Sequence, residues 1–478
     1  MTTYPELKMF IHGDWRTTDA GRPVVNPATE EEIGRVPVAS PADLNDALAA
    51  ADDGFRTWRH SAPRDRADLI REAARLMRER QDEIAYSITL EHGKPLAQAR
   101  LEVIRGCEFF EWDAGEAVRT YGRVIPSAPG VKYVVHHQPI GPVAAFSPWN
   151  FPMSQPSRKI AGALASGCSI ILKAAEETPA GAMHIAKAFE DAGLPPGVLN
   201  LVFGVPADIS AHLIANPITK LVAFTGSTTV GRHLTGLASD HMTPVLMELG
   251  GHAPVIVCED TDVEAAANAS AVRKYRNAGQ VCTSPTRFFV HERVYEQFLD
   301  VFTRRASATT VGNGMEPGVE MGPLANDRRI AALAEFVSDA VDTGGQLITG
   351  GNPIDGPGYF FEPTVLADVS DDALVMQEEP FGPLAIVNPV DSLDAAIEQA
   401  NSVPYGLAAY GFTNRADYAD QMLEQVEAGN LSINTLEASL PETPFGGVKS
   451  SGYGREGGAE GLHHYTVVKT VSHSMTIV

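Results

Sequence analysis

The stretch Leu221-Val-Ala-Phe-Thr-Gly-Ser-Thr-Thr-Val-Gly231 predicts an apolar strand that runs through a glycine turn into a helix. Dinucleotides bind where a strand ends at a helix N-terminus, because free backbone N–H groups and the helix dipole attract the pyrophosphate. Small residues let the backbone approach the phosphates, and Ser227 adds a hydroxyl donor. The usual G-x-G-x-x-G fingerprint is missing, so an ordinary capped helix is the alternative interpretation of this turn.

The same pattern is repeated on both sides of this stretch. Short apolar runs at 143–147, 169–173 and 199–203 precede it, separated by helical patterns near 154–166, 179–191 and 207–215. A second series follows, with apolar runs at 254–257 and 287–290 and helical patterns near 263–276, 294–307, 327–343, 393–401 and 416–427. Alternation of this kind predicts an α/β fold built on parallel sheet with helices on both faces.

The remaining segments predict accessory elements. A short strand and tight turn are expected at 10–16, and long helices at 42–57 and 64–89. The segment 121–138 is irregular and β-rich, and it separates the helical N-terminal region from the strand–helix series. A length of 478 residues exceeds a single core, so we expect two or three domains.

Composition narrows the class of partner and the compartment. The formal net charge of −23 argues against nucleic acid or an anionic membrane as a partner, because both repel an acidic surface. No apolar run reaches membrane-spanning length, and the first residues lack a signal-peptide core. The four cysteines lack metal-ligand spacing and fit a reducing compartment. We therefore expect a cytoplasmic protein without a metal site.

A thiol and a carboxylate stand in two unusual contexts. Glu248 precedes Leu-Gly-Gly, and Cys282 ends the run Asn277-Ala-Gly-Gln-Val-Cys282, which predicts a small, flexible lead-in. Enzymes use a thiolate with a carboxylate to form a thioester and then hydrolyse it. A single cysteine is more often a small buried hydrophobe, so the pair alone is weak evidence.

Further motifs accompany the pair. They are Pro148-Trp-Asn-Phe-Pro152, Ile171-Leu-Lys-Ala-Ala-Glu176 and Glu378-Glu-Pro-Phe-Gly-Pro383. In this order, from residue 10 to about residue 465, the chain resembles the aldehyde dehydrogenase superfamily, and especially its succinate-semialdehyde and 2-oxoglutarate-semialdehyde dehydrogenases.

The resemblance implies an architecture and an assembly. It implies a Rossmann-type NAD-binding domain at 1–121 and 140–249, and an α/β catalytic domain at 250–450. It also implies a β oligomerisation arm and tail at 122–139 and 451–478, and with them a homodimer or homotetramer.

The resemblance also implies a catalytic mechanism. Cys282 matches the nucleophile that attacks the aldehyde carbon, and Asn150 matches the oxyanion donor, together with the backbone N–H of Cys282. Collapse of the thiohemiacetal sends hydride to the nicotinamide and leaves a thioester, and Glu248 then activates the water that releases the acid. Acyl-CoA-forming relatives lack this glutamate, so hydrolysis is expected. His252 is interpreted as a local variant, and Thr283-Ser284 leaves no second cysteine for a disulfide switch.

Cofactor choice depends on Glu176. A carboxylate there can accept from the adenosine ribose hydroxyls and repel a 2′-phosphate, which favours NAD, although NADP stays open because the position discriminates only partially in the family. Lys173, at a strand end, can reach the ribose, and Glu379 and Phe381 match the positions that hold the nicotinamide ribose and ring. The full cofactor set is Ser147, Trp149, Lys173, Glu176, Thr225, Gly226, Ser227, Leu249, Glu379 and Phe381.

Two arginines suggest a substrate with an anionic tail. Arg158 lies eight positions after Asn150 and Arg276 six before Cys282, and a carboxylate is held best by a bidentate guanidinium. Ser439 and Phe445 complete the predicted substrate set, with Gln155 and Tyr275 as walls. Each arginine alone is more often a surface salt bridge. Alternatives are therefore an aromatic or sugar-derived aldehyde, with structural arginines, and an inactive dinucleotide-binding homologue.

Overall fold

The computed structural model describes residues 3–19 and 21–476. Two large sheets dominate it, and each packs against its own cluster of buried apolar side chains. Within the described residues no helix is long and apolar enough to cross a membrane.

The strands follow one another along the chain in this order: β1 Met9–Ile11, β2 Asp14–Arg16, β3 Gly21–Val25, β4 Glu32–Pro37, β5 Arg123–Ile125, β6 Val131–Pro139, β7 Val143–Phe146, β8 Ile170–Lys173, β9 Leu199–Val202, β10 Leu221–Thr225, β11 Val245–Glu248, β12 Pro254–Val257, β13 Arg287–His291, β14 Gln346–Thr349, β15 Thr364–Ala367, β16 Leu384–Val390, β17 Tyr405–Gly406, β18 Ala408–Phe412, β19 Asn430–Ile433, β20 Val448–Lys449, β21 Gly452–Tyr453 and β22 Thr466–Ser474.

The helices are α1 Pro41–Trp58, α2 Pro63–Glu79, α3 Gln81–His92, α4 Leu96–Ala117, α5 Ser154–Ser166, α6 Ala180–Asp191, α7 Pro206–Ile214, α8 Thr228–Ser239, α9 Val263–Tyr275, α10 Glu292–Ser307, α11 Arg328–Asp342, α12 Leu374–Gln377, α13 Leu393–Asn401 and α14 Ala416–Gln425. Two 3₁₀ helices lie at Arg276–Gly279 and Gly461–Tyr465.

The first sheet has the order β2-β1-β9-β8-β7-β10-β11-β21. Its five central strands are parallel, and β1, β2 and β21 pair antiparallel at the edges. The chain runs from β7 outward to β8 and β9, and then returns to the other side of β7 as β10. The strand order therefore reverses between β7 and β10, which is where open α/β sheets place their ligands.

The second sheet has the order β14-β15-β16-β13-β12-β18-β19. All of its strands are parallel except the edge strand β14. A smaller antiparallel sheet contains β22, β6 and β5, and it exposes Val124 on one face and Tyr133 and Val468 on the other. β21 belongs to the first sheet, so the small sheet takes chain from the C-terminal side only from Thr466 onward. The division into domains stays a prediction.

The α/β class is confirmed, and the predicted helices at 154–166 and 393–401 coincide with α5 and α13. The prediction of one helix over 64–89 was wrong. Arg80 leaves the helical conformation at φ −96°, ψ 15° and divides this region into α2 and α3. Sequence analysis also missed α4, although Ala99, Val103, Cys107, Phe110 and Ala114 form a buried helical stripe along it.

Candidate active site

The carboxyl ends of the central strands of the first sheet carry most of the predicted site. β7 leads into the loop 147–153, β8 ends at Lys173, β10 leads into Gly226, and β11 ends at Glu248. Parallel strands have their carboxyl ends at the same edge of a sheet, so these segments meet beside the point where the strand order reverses.

Cys282 follows a left-handed turn rather than the flexible segment that was expected. Asn277 and Ala278 have φ of 55° and 53°, and Gly279 has φ of 68°. A β-carbon on Gly279 would lie 2.0 Å from the carbonyl oxygen of Gly382, so only glycine fits there. Asn277 is buried, and its backbone N–H donates to Oε1 of Gln98 at 2.9 Å. Non-glycine residues in this region store strain, and these contacts hold it.

Asn150 lies directly against this turn. Its Nδ2 donates to the carbonyl oxygen of Gln280 at 3.0 Å, two residues before the thiol. The carboxamide nitrogen has a second hydrogen, so it can donate to an oxygen that forms next to Cys282. Asn150 therefore contacts the backbone two residues before Cys282, and its role as oxyanion donor stays a prediction.

Glu248 is buried, and neither of its carboxyl oxygens has a hydrogen-bond partner among the described residues. Burial and the nearby Glu456 raise the pKa of Glu248 well above its usual value, and Lys159 and Arg158 act in the opposite direction. The turn after Glu248 abuts the nucleophile, because a β-carbon on Gly251 would lie 2.4 Å from the Cys282 carbonyl oxygen. A carboxyl group with a raised pKa beside a thiol is suited to general-base work near neutral pH.

The thiol of Cys282 is free and half-buried. Burial, and after it Glu379 and Glu248, raise the pKa of Cys282 to about 12, while Arg158 lowers it. The resting thiol therefore keeps its proton at neutral pH. Attack on an aldehyde requires that this proton leave as the carbon–sulfur bond forms.

A cavity of about 1050 Å³ opens onto Cys282, and all four predicted substrate residues line it. Gln155 and Tyr275 line it too. Five arginines face this cavity. Three of them pair with carboxylates: Arg105 with Glu108 at 3.0 Å, Arg273 with Glu437 at 3.8 Å, and Arg305 with Glu320. Arg158 and Arg276 form no salt bridge within the described part of the chain, so their charges are available to a ligand.

Arg158 is fixed by neutral groups. Its guanidinium carbon lies 3.8 Å from the ring centre of Phe109 and 4.9 Å from that of Phe445, and Nη2 donates to Oγ of Ser439 at 2.5 Å. Nη1 is buried without a partner among the described residues. A guanidinium held between two rings loses little freedom when an anion binds, which is the requirement for a specific anion site.

The helix α8 supplies the predicted phosphate site. Ser227 caps it by accepting from the backbone N–H of Val230 at 3.3 Å, and Leu249 packs against it at Gly231. Thr225 is occupied differently, since its hydroxyl accepts from Nζ of Lys159 at 2.7 Å. Ser147 is buried, and its Oγ has no partner within the described residues. The open helix N-terminus and this unpaired hydroxyl fit a dinucleotide.

Glu176 lies between two cations. Lys173 donates to Oε2 of Glu176, and Arg22 lies 3.6 Å from Oε1. Arg22 was not predicted, because it comes from the β3–β4 hairpin, more than one hundred residues earlier in the chain. The carboxylate is therefore offset by two positive charges, so its repulsion of a 2′-phosphate is weaker than Glu176 alone suggests.

Glu379 contacts the turn that follows Glu248, and Phe381 packs against Trp149. Oε1 of Glu379 accepts from the backbone N–H of Gly251 at 3.2 Å, and burial raises the pKa of Glu379 to about 8. The ring of Phe381 meets that of Trp149 edge to face at 5.5 Å. His252 is buried and neutral, because burial lowers its pKa and Nε2 shares a hydrogen bond with the Val375 carbonyl at 3.0 Å.

Sequence analysis missed two buried ion pairs behind the site. Lys159 binds Oε1 of Glu456 at 2.8 Å, and Lys94 binds Oε2 of Glu102 at 2.5 Å. All four side chains are at most 2% exposed. The two lysines could have indicated buried ion pairs, because each interrupts an otherwise apolar or glycine–proline context. Their partners could not be identified, because Glu456 is distant in sequence and Glu102 lies on the helix that was missed.

Comparison with known proteins identifies the family. The chain matches the aldehyde dehydrogenase family model over residues 15–471. It is 47% identical over 468 residues to a 4-(hydroxymethyl)benzenesulfonate dehydrogenase of Comamonas testosteroni, covering 97% of each chain. It is 40% identical to a glutarate-semialdehyde dehydrogenase of Pseudomonas aeruginosa, covering 96% of each chain. The solved structure of a succinate-semialdehyde dehydrogenase from Burkholderia pseudomallei superposes with a TM-score of 0.96 at 40% identity, covering 98% of each chain.

The electrostatics of the thiol can be tested in the protein without cofactor. Because Glu379 raises the pKa of Cys282, Glu379→Gln should move the pH profile of Cys282 alkylation by iodoacetamide to lower pH. Mass spectrometry after timed alkylation measures the profile. Glu378→Gln is the matched control, since it removes the same charge from the exposed neighbouring residue and should leave the profile in place. A shift to higher pH in Glu379→Gln, or an equal shift in the control, would contradict this account.

Proposed function

The chain belongs to the aldehyde dehydrogenase family, and we propose that it oxidises an aldehyde that carries an anionic group at its far end. The main candidate is a carboxylate-bearing semialdehyde such as succinate semialdehyde or 2-oxoglutarate semialdehyde. The observation that carries this proposal is the unpaired state of Arg158 and Arg276 in a cavity whose other three arginines are neutralised.

The free-energy cost of burying an unpaired guanidinium supports a substrate with an anionic tail. Arg158 is 5% exposed, and burial lowers its pKa and that of Arg276, in the latter case to about 10. Keeping a guanidinium in a desolvated position without a carboxylate is costly. A substrate anion offsets this cost, whereas a neutral aldehyde does not. Selectivity for acidic aldehydes follows from this difference.

The names of the relatives agree with this chemistry. They refer to a benzenesulfonate and to the semialdehydes of glutarate and succinate, and each of these carries a sulfonate or carboxylate. The benzenesulfonate relative and the cavity volume of about 1050 Å³ favour a second candidate, an aromatic aldehyde with an acidic para substituent. The rings of Phe109, Phe151 and Phe445 line the cavity and could contact a benzene ring.

We assign the catalytic steps as follows. The Cys282 sulfur attacks the aldehyde carbon as the thiol proton passes to water, and the new oxyanion accepts from Nδ2 of Asn150 and the Cys282 backbone N–H. A nicotinamide dinucleotide, NAD or NADP in this family, would be held by the residues around Ser147, Lys173, Glu176 and the start of α8, and would supply the hydride acceptor for the oxidation of the carbon. Glu248 then takes a proton from the water that attacks the thioester; the carbon–sulfur bond breaks, the acid is released, and Glu248 returns the proton to the Cys282 thiolate. An inactive dinucleotide-binding homologue needs none of these three side chains.

The cofactor site favours NAD with access for NADP. Lys173, Glu176 and Arg22 together carry a formal charge of +1 at the predicted ribose. Glu176 can accept from ribose hydroxyls, and the two cations can receive a 2′-phosphate once the carboxylate rotates away. We therefore propose a preference for NAD that is modest in size.

Compartment and assembly remain proposals. All four cysteines are free, which fits a reducing cytoplasm. One face of the small sheet of β5, β6 and β22 exposes Val124 and Val471, and a second copy of the chain in a homodimer or homotetramer would cover them.

The assignment of Glu248 predicts a separation of the two half-reactions. Glu248→Gln should give one rapid equivalent of reduced cofactor and then stall as the acyl-enzyme, because water activation follows hydride transfer. In the unmodified protein the raised pKa of Glu248 should make hydrolysis faster as pH rises, since only the ionised carboxylate accepts a proton. Stopped-flow absorbance and intact-protein mass spectrometry measure both effects. Cys282→Ala is the control and should give no burst; an absent burst in Glu248→Gln would mean that Glu248 acts before hydride transfer.

The arginines predict selectivity for acidic aldehydes. Arg158→Ala and Arg276→Ala should each cost roughly 2–4 kcal/mol in kcat/KM for succinate semialdehyde, because a desolvated anion loses its partner. Butanal, which has the same number of carbons and no charge, should be nearly unaffected. Ser439→Ala should show a smaller asymmetry, since it removes a neutral hydrogen bond.

Arg105→Ala is the matched control, because Arg105 faces the same cavity but is already paired with Glu108. Equal losses for acidic and neutral aldehydes would assign the arginines to the fold. Activity on 4-formylbenzenesulfonate above that on succinate semialdehyde would favour the aromatic candidate.

The residues around the ribose predict opposite effects on cofactor choice. Glu176→Gln should shift the NAD/NADP preference towards NADP by about 1–3 kcal/mol, and Arg22→Gln should shift it towards NAD. Calorimetric binding of ADP and of 2′,5′-ADP measures the same contrast without turnover. Glu177→Gln is the matched control, since that neighbouring carboxylate pairs with Arg328 at 3.1 Å instead. An unchanged preference in both variants would locate these side chains away from the ribose.

A further inference from the structure

The loop that carries Asn150 has few backbone N–H groups that could stabilise it by hydrogen bonds within the loop. It connects β7 to α5 over residues 147–153, and Pro148 and Pro152 lack a backbone N–H. An oxyanion donor contributes most when it is aligned before the oxygen becomes charged. The groups that fix this loop from outside therefore bear directly on the first chemical step.

A buried ion pair holds both ends of the segment 150–154. Nζ of Lys94 donates to the carbonyl oxygen of Asn150 at 2.8 Å and to Oε2 of Glu102 at 2.5 Å. The other carboxyl oxygen of Glu102, Oε1, accepts from the backbone N–H groups of Met153 at 2.8 Å and Ser154 at 3.2 Å. One carboxylate thus caps the start of α5 and also orients the lysine that holds the Asn150 carbonyl.

A second contact continues from this point to the nucleophile turn. Nδ2 of Asn277 donates to the carbonyl oxygens of both Asn150 and Gln280, each at 3.2 Å. Lys94 also lies 4.2 Å from the ring centre of Phe151, so the ammonium is enclosed on that side as well. The ion pair, the Asn150 loop and the turn before Cys282 form one connected set of hydrogen bonds.

The pair is 1% exposed on both sides, so solvent does not screen it. Loss of either partner leaves a buried charge alone, and loss of Lys94 also removes a charged donor from the carbonyl of Asn150. Neither side chain lines the substrate cavity, so neither contacts the aldehyde.

We propose that Lys94 and Glu102 are positioning residues that hold Asn150 in place to donate to the oxyanion next to Cys282. This inference rests on the roles proposed above for Asn150 and Cys282. It assigns to the Gly93-Lys94-Pro95 connection between α3 and α4 a function in the rate of the first half-reaction rather than in binding.

The test is a double-mutant cycle on the rate of the first turnover. Lys94→Met together with Glu102→Gln removes both charges but keeps an oxygen that can accept from Met153 and Ser154. Asn150→Ala should slow cofactor reduction about 10²- to 10³-fold, and the pair variant about tenfold or more, with KM for the aldehyde and dinucleotide affinity within about threefold. Adding the pair variant to Asn150→Ala should cause no further loss, because both changes remove the same interaction.

Glu91→Gln is the matched control. Glu91 is also buried and caps a helix, since its carboxyl accepts from the backbone N–H groups of Ala180 and Gly181 at the start of α6. It should lower the melting temperature without slowing the first turnover. If the double variant does not fold, the single variant Glu102→Gln, which retains Lys94, replaces it in the double-mutant cycle with Asn150→Ala.

The outcomes distinguish the positioning role of Lys94 and Glu102 from the oxyanion role of Asn150. Losses that multiply in the combined variant, or an equal slowing in Glu91→Gln, would overturn the positioning role and leave Asn150 as the donor. An unchanged first turnover in Asn150→Ala would overturn both the oxyanion assignment and the positioning role. A loss confined to KM would also overturn the inference, since a misplaced donor acts on the transition state.

Discussion

Helix α5 is buried at every one of its residues and yet carries two cations, Arg158 and Lys159, and the arrangement of the site depends on how these charges are compensated. Lys159 is neutralised internally, because it binds Glu456 and donates to Thr225 at the end of β10. That pair ties the C-terminal segment to the strand that leads into the phosphate turn. Arg158 contacts aromatic rings and the Ser439 hydroxyl, and among the described residues it forms no salt bridge, although Glu456, Glu248 and Asp113 lie near enough to raise its pKa against the effect of burial. One buried helix therefore contributes Lys159, which fixes the strand next to the predicted dinucleotide site, and Arg158, which is a cation of the predicted substrate cavity.

Burial also affects the ionisation of the proposed reacting groups. Burial raises the pKa values of the Cys282 thiol and of the Glu248 and Glu379 carboxyls, so the site disfavours several anions at once. Arg158 opposes this for both Cys282 and Glu248. A thiol that keeps its proton until the aldehyde arrives is protected from oxidation, and a carboxyl with a raised pKa is a stronger base once it ionises. The same desolvation that suppresses the resting nucleophile thus suits the later hydrolytic step.

Much of the fold could be predicted because it depends on local patterns. Apolar runs bounded by glycine and helical periodicity gave the strands β10 and β12 and the helices α5 and α13 at their observed bounds. What could not be predicted depends on distant contacts. The lead-in to Cys282 was expected to be flexible, but the carbonyl of Gly382 and the side chain of Gln98, both remote in sequence, impose a left-handed turn. The partner of Glu176 in the β3–β4 hairpin and the ion pair on the missed helix α4 escaped for the same reason.

The cavity arginines show why residue type alone underdetermines a binding site. Five guanidiniums face one space near Cys282, and a sequence offers no reason to separate them. Pairing separates them, because Arg105, Arg273 and Arg305 form salt bridges with carboxylates, while Arg158 and Arg276 form none among the described residues. Arg158 is buried and held between rings, and Arg276 is half-buried and lies 5.8 Å from the ring centre of Phe151. An anion that binds both Arg158 and Arg276 gives up its hydration water for two cations that have no carboxylate partner. An anion near one of the other three arginines must first compete with the carboxylate already paired there. The proposed selectivity for an acidic aldehyde therefore depends on the whole network of charges around the cavity.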